Sequence, residues 1–231
     1  MTAQAMNTGS ATPQRLMDAC EQLLAQAEKL DDVTVRRIAA LAETNVSAIN
    51  YHFGSYEKLV VAVAERVYQR LNAERLRMLQ TAVQRRSPRP PLLEDVIGAL
   101  VGPSVRWSLD SKSSYAVFRH LTAMELRSKD RAIYRPIVED IGHHWTFVHY
   151  LKQVTPWLSE SEIGWRVNCA LGIRSQVTRQ RARTEVLTNH ELDFTDPETV
   201  IDNMIMVIVP MFSRPNAAVE PIRQAQFQTA F

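Results

Sequence analysis

The sequence predicts an all-α protein, and three observations carry the prediction. Glycine is scarce, 7 residues in 231, which disfavours turn-rich β architectures and suits long helices. Apolar residues recur at spacings of three and four along most of the chain, the period of a helix with one buried face. Helix-start signals stand immediately ahead of those runs: Thr12-Pro13, Asn45, Ser55, the Ser159 to Glu162 capping box and Asp196-Pro197. The chain is long enough to bury a core without staples.

Taken in order, Thr12 caps a first helix from Pro13 to near Lys29, with Leu16, Ala19, Cys20, Leu23, Leu24 and Ala27 on its apolar face. Thr34 opens a helix of about two turns through Val35, Ile38, Ala39 and Ala42. Asn45 caps another short one through Val46, Ala48, Ile49 and His52. Gly54 suits a left-handed helix end and Ser55 caps a long helix with Leu59, Val63, Val67 and Leu71 inward, its later half turning basic with Arg70, Arg75 and Arg77. The proline-rich run Arg85 to Pro91 must be a loop. Helices follow at Leu92 to Leu109, Ser113 to Ser128 and Lys129 to Val154, the last kinked or split at Pro136; then Ser159 towards Leu187, and Glu198 to Phe212. That final helix is apolar nearly all round, so it is expected to be covered on all sides, one face by its own subunit and another by a partner.

Composition narrows the function. Two cysteines far apart, Cys20 and Cys169, indicate neither a disulfide framework nor a zinc module and fit a reducing cytoplasm. The first dozen residues are polar, and no apolar run reaches membrane-spanning length. A net charge of +2 says little about nucleic acid, because binding depends on a local basic face. In residues 13–70 acidic side chains even slightly outnumber basic ones. There is no G-x-S-x-G elbow, phosphate-binding glycine loop or H-E-x-x-H pair, so no enzyme and no cofactor are expected. His143, His144 and His149 are not spaced i, i+4, so no metal is expected either.

The most informative segment runs from Thr34 to Leu59. Two short helices joined by a tight turn form a helix-turn-helix, and the second has so narrow an apolar face, Ala48 and Ile49, that its other faces must be displayed. The pattern Thr34-Val35-Arg36-x-Ile38-Ala39-x-x-Ala42, followed by Asn50-Tyr51-His52-Phe53-Gly54-Ser55, resembles the DNA-binding domain of the tetracycline-repressor (TetR) family. The resemblance implies a helix-turn-helix domain over residues 13–58, a helical ligand-sensing and dimerisation domain over 59–215, and flexible tails at 1–12 and 216–231. It implies a homodimeric repressor released from a palindromic operator by a small molecule. A dimeric helical scaffold without operator binding is the alternative.

Residue by residue, the resemblance implies that Thr34 and Arg36 hold phosphates at a helix start. Val46, Ser47, Asn50 and Tyr51 face the groove, where Asn50 can read adenine and Val46 a thymine methyl. His52 and Tyr51 reach phosphate, and Phe53 locks the motif to the long helix. Two positions depart from the family: Glu43 stands where the turn usually has Gly, and Tyr56 where a Lys often meets phosphate, a role that passes to Lys58. Trp107, Phe118, His144, Phe147 and Arg174 are candidates for a ligand pocket, Arg174 as an anchor for an acid or as half of an interface salt bridge. Val167, Leu171, Ile201, Met204, Ile205 and Ile208 are the candidate dimer interface.

Overall fold

A computed structural model of the protein describes residues 8–135, 137 and 142–214. Among them there are helices and no strand: α1 (Thr8–Gln26), α2 (Val35–Leu41), α3 (Ser47–Phe53), α4 (Tyr56–Arg86), α5 (Leu93–Leu109), α6 (Ala116–Arg127), α7 (Gly142–Val154), α8 (Glu160–Arg179), α9 (Arg181–Leu187) and α10 (Pro197–Ile208). Short 3₁₀ turns occupy Leu30–Asp32, Arg131–Tyr134 and Val209–Phe212. No described helix is long and apolar enough to cross a membrane.

Two apolar cores organise these helices. The first gathers Leu16 and Leu24 of α1, Ile38 of α2, Ile49 of α3 and Leu59, Val63 and Val67 of α4. It also takes in Val117, Leu121 and Met124 of α6 and Tyr134. The amino-terminal helices therefore do not close on themselves; α6 supplies one wall of their core. The second core surrounds α5, whose Val96, Ile97, Leu100 and Val105 meet Phe147 and Leu151 of α7, Ile163 and Val167 of α8, and Val200, Ile201, Met204 and Ile208 of α10. Helices α5 and α10 lie close because Gly98 has no side chain: a Cβ there would stand 3.3 Å from Ile205 Cδ1. Arg106 clamps the start of α10 through a two-pronged pair with Glu198 at 2.6 and 2.7 Å.

Expected caps form as hydrogen bonds. Thr34 Oγ1 accepts from Arg37 N at 3.3 Å, Ser55 Oγ from Lys58 N at 3.2 Å, Ser159 closes its capping box with Glu162, and Asp196 accepts from the amides of Glu198 and Thr199. Several boundaries differ from the sequence reading. Helix α1 begins at Thr8, so residues 8–12, expected in a flexible tail, are helical and Pro13 lies inside the helix. Residues 1–7 and 215–231 lie outside the described residues, as do Pro136 and the expected kink there. The helix expected to run to Leu187 breaks at Gln180 (φ −115°, ψ 43°), and α9 ends with Asn189 and His190 at φ 51° and 59°. The last helix stops at Ile208 because Pro210 cannot extend its ladder.

Nor is α10 covered all round within one subunit. Val200, Ile201, Met204 and Ile208 face the core, while Met206 and Val207 are 64% and 59% exposed. On α8, Val167 is likewise buried and Trp165 is 67% exposed. Of the six residues expected at a dimer interface, Val167, Ile201, Met204 and Ile208 are already enclosed by their own subunit; Leu171 and Ile205 are half-buried.

Candidate nucleic-acid interface

Helix α3 is short, and its end groups hold it in place. Asn45 Oδ1 accepts from Ala48 N at 2.9 Å and Ser47 Oγ at 2.6 Å, fixing its start. Gly54, at φ 80°, ends it with an N–H donated to the Asn50 carbonyl at 3.0 Å, a conformation L side chains rarely adopt. Ile49 is buried in the first core, with Ala48 and Phe53 half-buried against it. The opposite face carries Val46, Ser47, Asn50 and Tyr51, all exposed, Tyr51 to 84%. An amphipathic face this narrow cannot stabilise seven residues alone, so α3 is held by α1, α2 and α4 and displays its polar face outward.

Around that face stand groups able to meet a phosphate backbone. Thr34 and Arg36 are exposed at the start of α2, and Lys58 at the start of α4. Neither Arg36 nor Lys58 forms an ion pair among the described residues. The Lys58 side chain lies over Gly54, where a Cβ would come within 3.7 Å of its Cδ. His52 is half-buried, with its ring edge-on to Tyr51 at 4.8 Å. The turn between α2 and α3 keeps its shape by placing Glu43 at φ 50°. Tyr56 has turned inward: its hydroxyl donates to the Val33 carbonyl at 3.1 Å, and burial raises the phenol above its ordinary pKa. It ties α4 to the entry of α2 and leaves the exposed cation at this corner to Lys58.

Residues 16–63 match the family profile described as bacterial regulatory proteins, tetR family, and residues 98–210 match that of the tetracyclin repressor-like C-terminal domain. Together the two profiles take in more than two thirds of the chain. The chain belongs to the TetR family. Among solved structures it is similar to the multidrug-binding protein EbrR complexed with imidazole, at 19% identity and a TM-score of 0.56 over 89% of this chain and 97% of that one. It is similar to the superantigen PfiT, at 13% identity and 0.55 over 87% and 97%. It is also similar to a TetR-family member, SCO1917 from Streptomyces coelicolor A3, at 19% identity and 0.51 over 86% and 96%. At these identities the likeness is one of fold. Comparison with curated proteins gives no match.

In this TetR-family chain the body is bonded directly to the DNA-binding helices. Glu21 of α1 receives Arg66 at 2.6 Å and Arg70, both from α4, and the Ser114 hydroxyl ahead of α6. Burial pushes the Glu21 carboxyl up, but the bonds from Ser114, Arg70 and Arg66 outweigh it and hold its pKa below the ordinary value. From α6, Arg119 donates to the Ala27 carbonyl at 3.0 Å, and His120 Nε2 lies 3.1 Å from the same oxygen. These contacts were not legible beforehand, since no local spacing links residues 21, 66, 70 and 114.

The candidate pocket residues separate. Trp107 and Phe118 line a cavity of about 480 Å³ between α5, α6 and the end of α8, where the Trp107 indole donates to Glu74 at 2.8 Å. Phe118 and Arg174 line a second, of about 230 Å³. His144 lies against His143, with Nε2 atoms 3.1 Å apart. Phe147 is instead a fully buried residue of the second core and lines neither cavity. Arg75, which reads in sequence as part of the basic later half of the long helix, is one of the most deeply buried side chains.

Proposed function

We propose that the protein is a homodimeric, sequence-specific DNA-binding transcriptional repressor, released from a palindromic operator when a small molecule occupies its carboxy-terminal domain. The observation that carries this reading is the display of Val46, Ser47, Asn50 and Tyr51 on a short helix whose only buried apolar anchor is Ile49, flanked by Arg36 and Lys58, which form no ion pair among the described residues. Asn50 has the donor and acceptor that read adenine, and the flanking cations with Thr34 suit phosphate. The exposed Met206, Val207 and Trp165 on α10 and α8 are the apolar surface a second copy would cover, forming a four-helix contact with its symmetry mate. Such a dimer carries two recognition helices about 34 Å apart on successive turns of the duplex.

Release follows from the same contacts. Helix α6 lines both cavities and is bonded to the end of α1, so a ligand that shifts α6 shifts the DNA-binding helices with it. By linkage, an inducer must bind the DNA-free form more tightly than the bound one. The test is retention of duplex DNA from immediately upstream of the gene by purified protein, at stated salt with scrambled competitor. Asn50→Ala and Tyr51→Ala serve as controls. Specific retention lost in both variants supports the reading; a folded dimer that retains no promoter DNA leaves the scaffold.

A further inference from the structure

Arg75 of α4 is 1% exposed. It donates through Nη1 to Asn72 Oδ1 at 2.8 Å and through Nη2 to Ser104 Oγ, and its guanidinium stands 6.0 Å from the Tyr68 ring centre. Arg174 of α8 donates through Nη1 to the same Ser104 oxygen at 3.1 Å. The Nε atoms of both arginines are buried and have no hydrogen-bond partner among the described residues. Two cations thus share one neutral oxygen, and no carboxylate among the described residues pairs with either. Buried arginines are ordinarily paired, because the loss of hydration is not repaid by neutral hydrogen bonds. Arg174 bonds inward to α5 of its own subunit, and Arg75 is buried within that subunit.

The described neighbours supply no pairing charge either. His143 Nε2 lies 3.4 Å from the Tyr68 hydroxyl and 3.1 Å from His144 Nε2. Burial, with His143 and the two arginines nearby, pulls His144 down to about 3, so that ring stays neutral. Burial and Arg174 draw Arg75 down only to about 10, and it remains charged at neutral pH. Against this cluster lies the cavity of about 230 Å³, lined by Arg174 and Tyr68 together with Leu71, Phe118 and Tyr134. Glu125 and Arg179 line it too, one of each sign. Tyr134 is almost fully buried.

We propose that this cavity binds a small organic acid. Its carboxylate is taken by Arg174, Arg75 adds a second positive charge through the shared Ser104 hydroxyl, and an aromatic or short aliphatic body rests on Phe118, Leu71 and Tyr134. The volume lies below that of drug-sized sites, which run from about 300 Å³ upward, so the acid is small. This deepens the inducer reading and rests on it only for the consequence at DNA.

The test is thermal unfolding of the full-length protein with benzoate, phenylacetate, 3-phenylpropionate and hexanoate, each against its own amide, and with inorganic phosphate. At least one acid raises Tm by about 5–10 °C at a concentration a hundredfold above its Kd, and its amide does not. Arg174→Gln abolishes that response. Arg75→Met removes it while leaving the ligand-free protein as stable as the parent or more so, because it relieves an uncompensated buried charge. Equal responses to acid and amide, no response to any acid, or a response to phosphate as large as to any acid overturns the proposal. So does an Arg75→Met protein that is less stable but still responds. Release of operator DNA is scored separately: acids that bind without releasing DNA keep the site and remove its inducer role. A neutral or cationic compound that releases DNA while the acids do not bind keeps the inducer reading and removes the acid.

Discussion

Glu43 holds the turn between α2 and α3 at φ 50°, a left-handed conformation that costs a residue bearing a Cβ about 1–2 kcal/mol. Its side chain recovers little of this, because its ion pair with Arg15 spans 4.0 Å and is solvated at both ends. Replacing Glu43 by Gly removes the strain, while the greater freedom of Gly in the unfolded chain returns about 0.5–1 kcal/mol of it. The net is a gain of about 0.5–1 kcal/mol, or about 1–4 °C in Tm for a chain of this size. Glu43→Ala is the decisive control: it deletes the same carboxylate and keeps the strain, so its Tm stays at or slightly below that of the parent. The assay is thermal unfolding of the three proteins side by side, followed by DNA binding, where both variants gain affinity from losing a negative charge beside the phosphate-facing surface. If Gly lowers Tm as much as Ala does, the left-handed strain at Glu43 is not real and the reasoning fails.

Further outcomes follow from the same contacts. Glu21→Gln breaks the bridge from α1 to Arg66 and Arg70 and lowers stability by about 1–3 kcal/mol, read by denaturant unfolding. Because the folded Glu21 pKa is depressed, its contribution is complete above the ordinary value of 4.5 and is lost as pH falls through the folded value; Glu21→Gln flattens that acid limb. His144 acts from about 6.5 downward: there the unfolded chain takes up a proton that the folded one refuses until about 3. Tm therefore falls across that window, and less steeply in His144→Gln. Lys58→Ala weakens binding to all duplexes alike and reduces the slope of log K against log salt by about 1, leaving sequence preference unchanged. Met206→Glu places a charge in the proposed contact between copies, and sedimentation shows a monomer that retains its helical content.

The parts of this fold that local chemistry dictates were readable in advance. Thr34, Asn45, Ser55, Ser159 and Asp196 each cap the helix expected of them, and the single-faced period of α3 foretold that Asn50 and Tyr51 would be displayed. What escaped depends on three-dimensional neighbours. Arg75 sits among Arg70 and Arg77 in the basic later half of α4, and the approach of Ser104 and Tyr68 helps to enclose it. Phe147 resembles a pocket aromatic in sequence and is a core residue because α7 turns it towards α5. On α10, where almost every residue is apolar, periodicity could not separate the face turned to the core, Ile201 and Met204, from the exposed pair Met206 and Val207. Tyr56 looked like a lost phosphate contact and is a tie to Val33.

The most direct test of operator recognition is selection of bound sequences from a random-duplex pool by the full-length protein, in parallel with Asn50→Ala. The account predicts that the parent enriches one palindromic sequence with half-sites about one helical turn apart, and that the variant loses preference at specific positions within each half. Parent and variant pools that remain random, or that enrich the same sequences to the same degree, would contradict it.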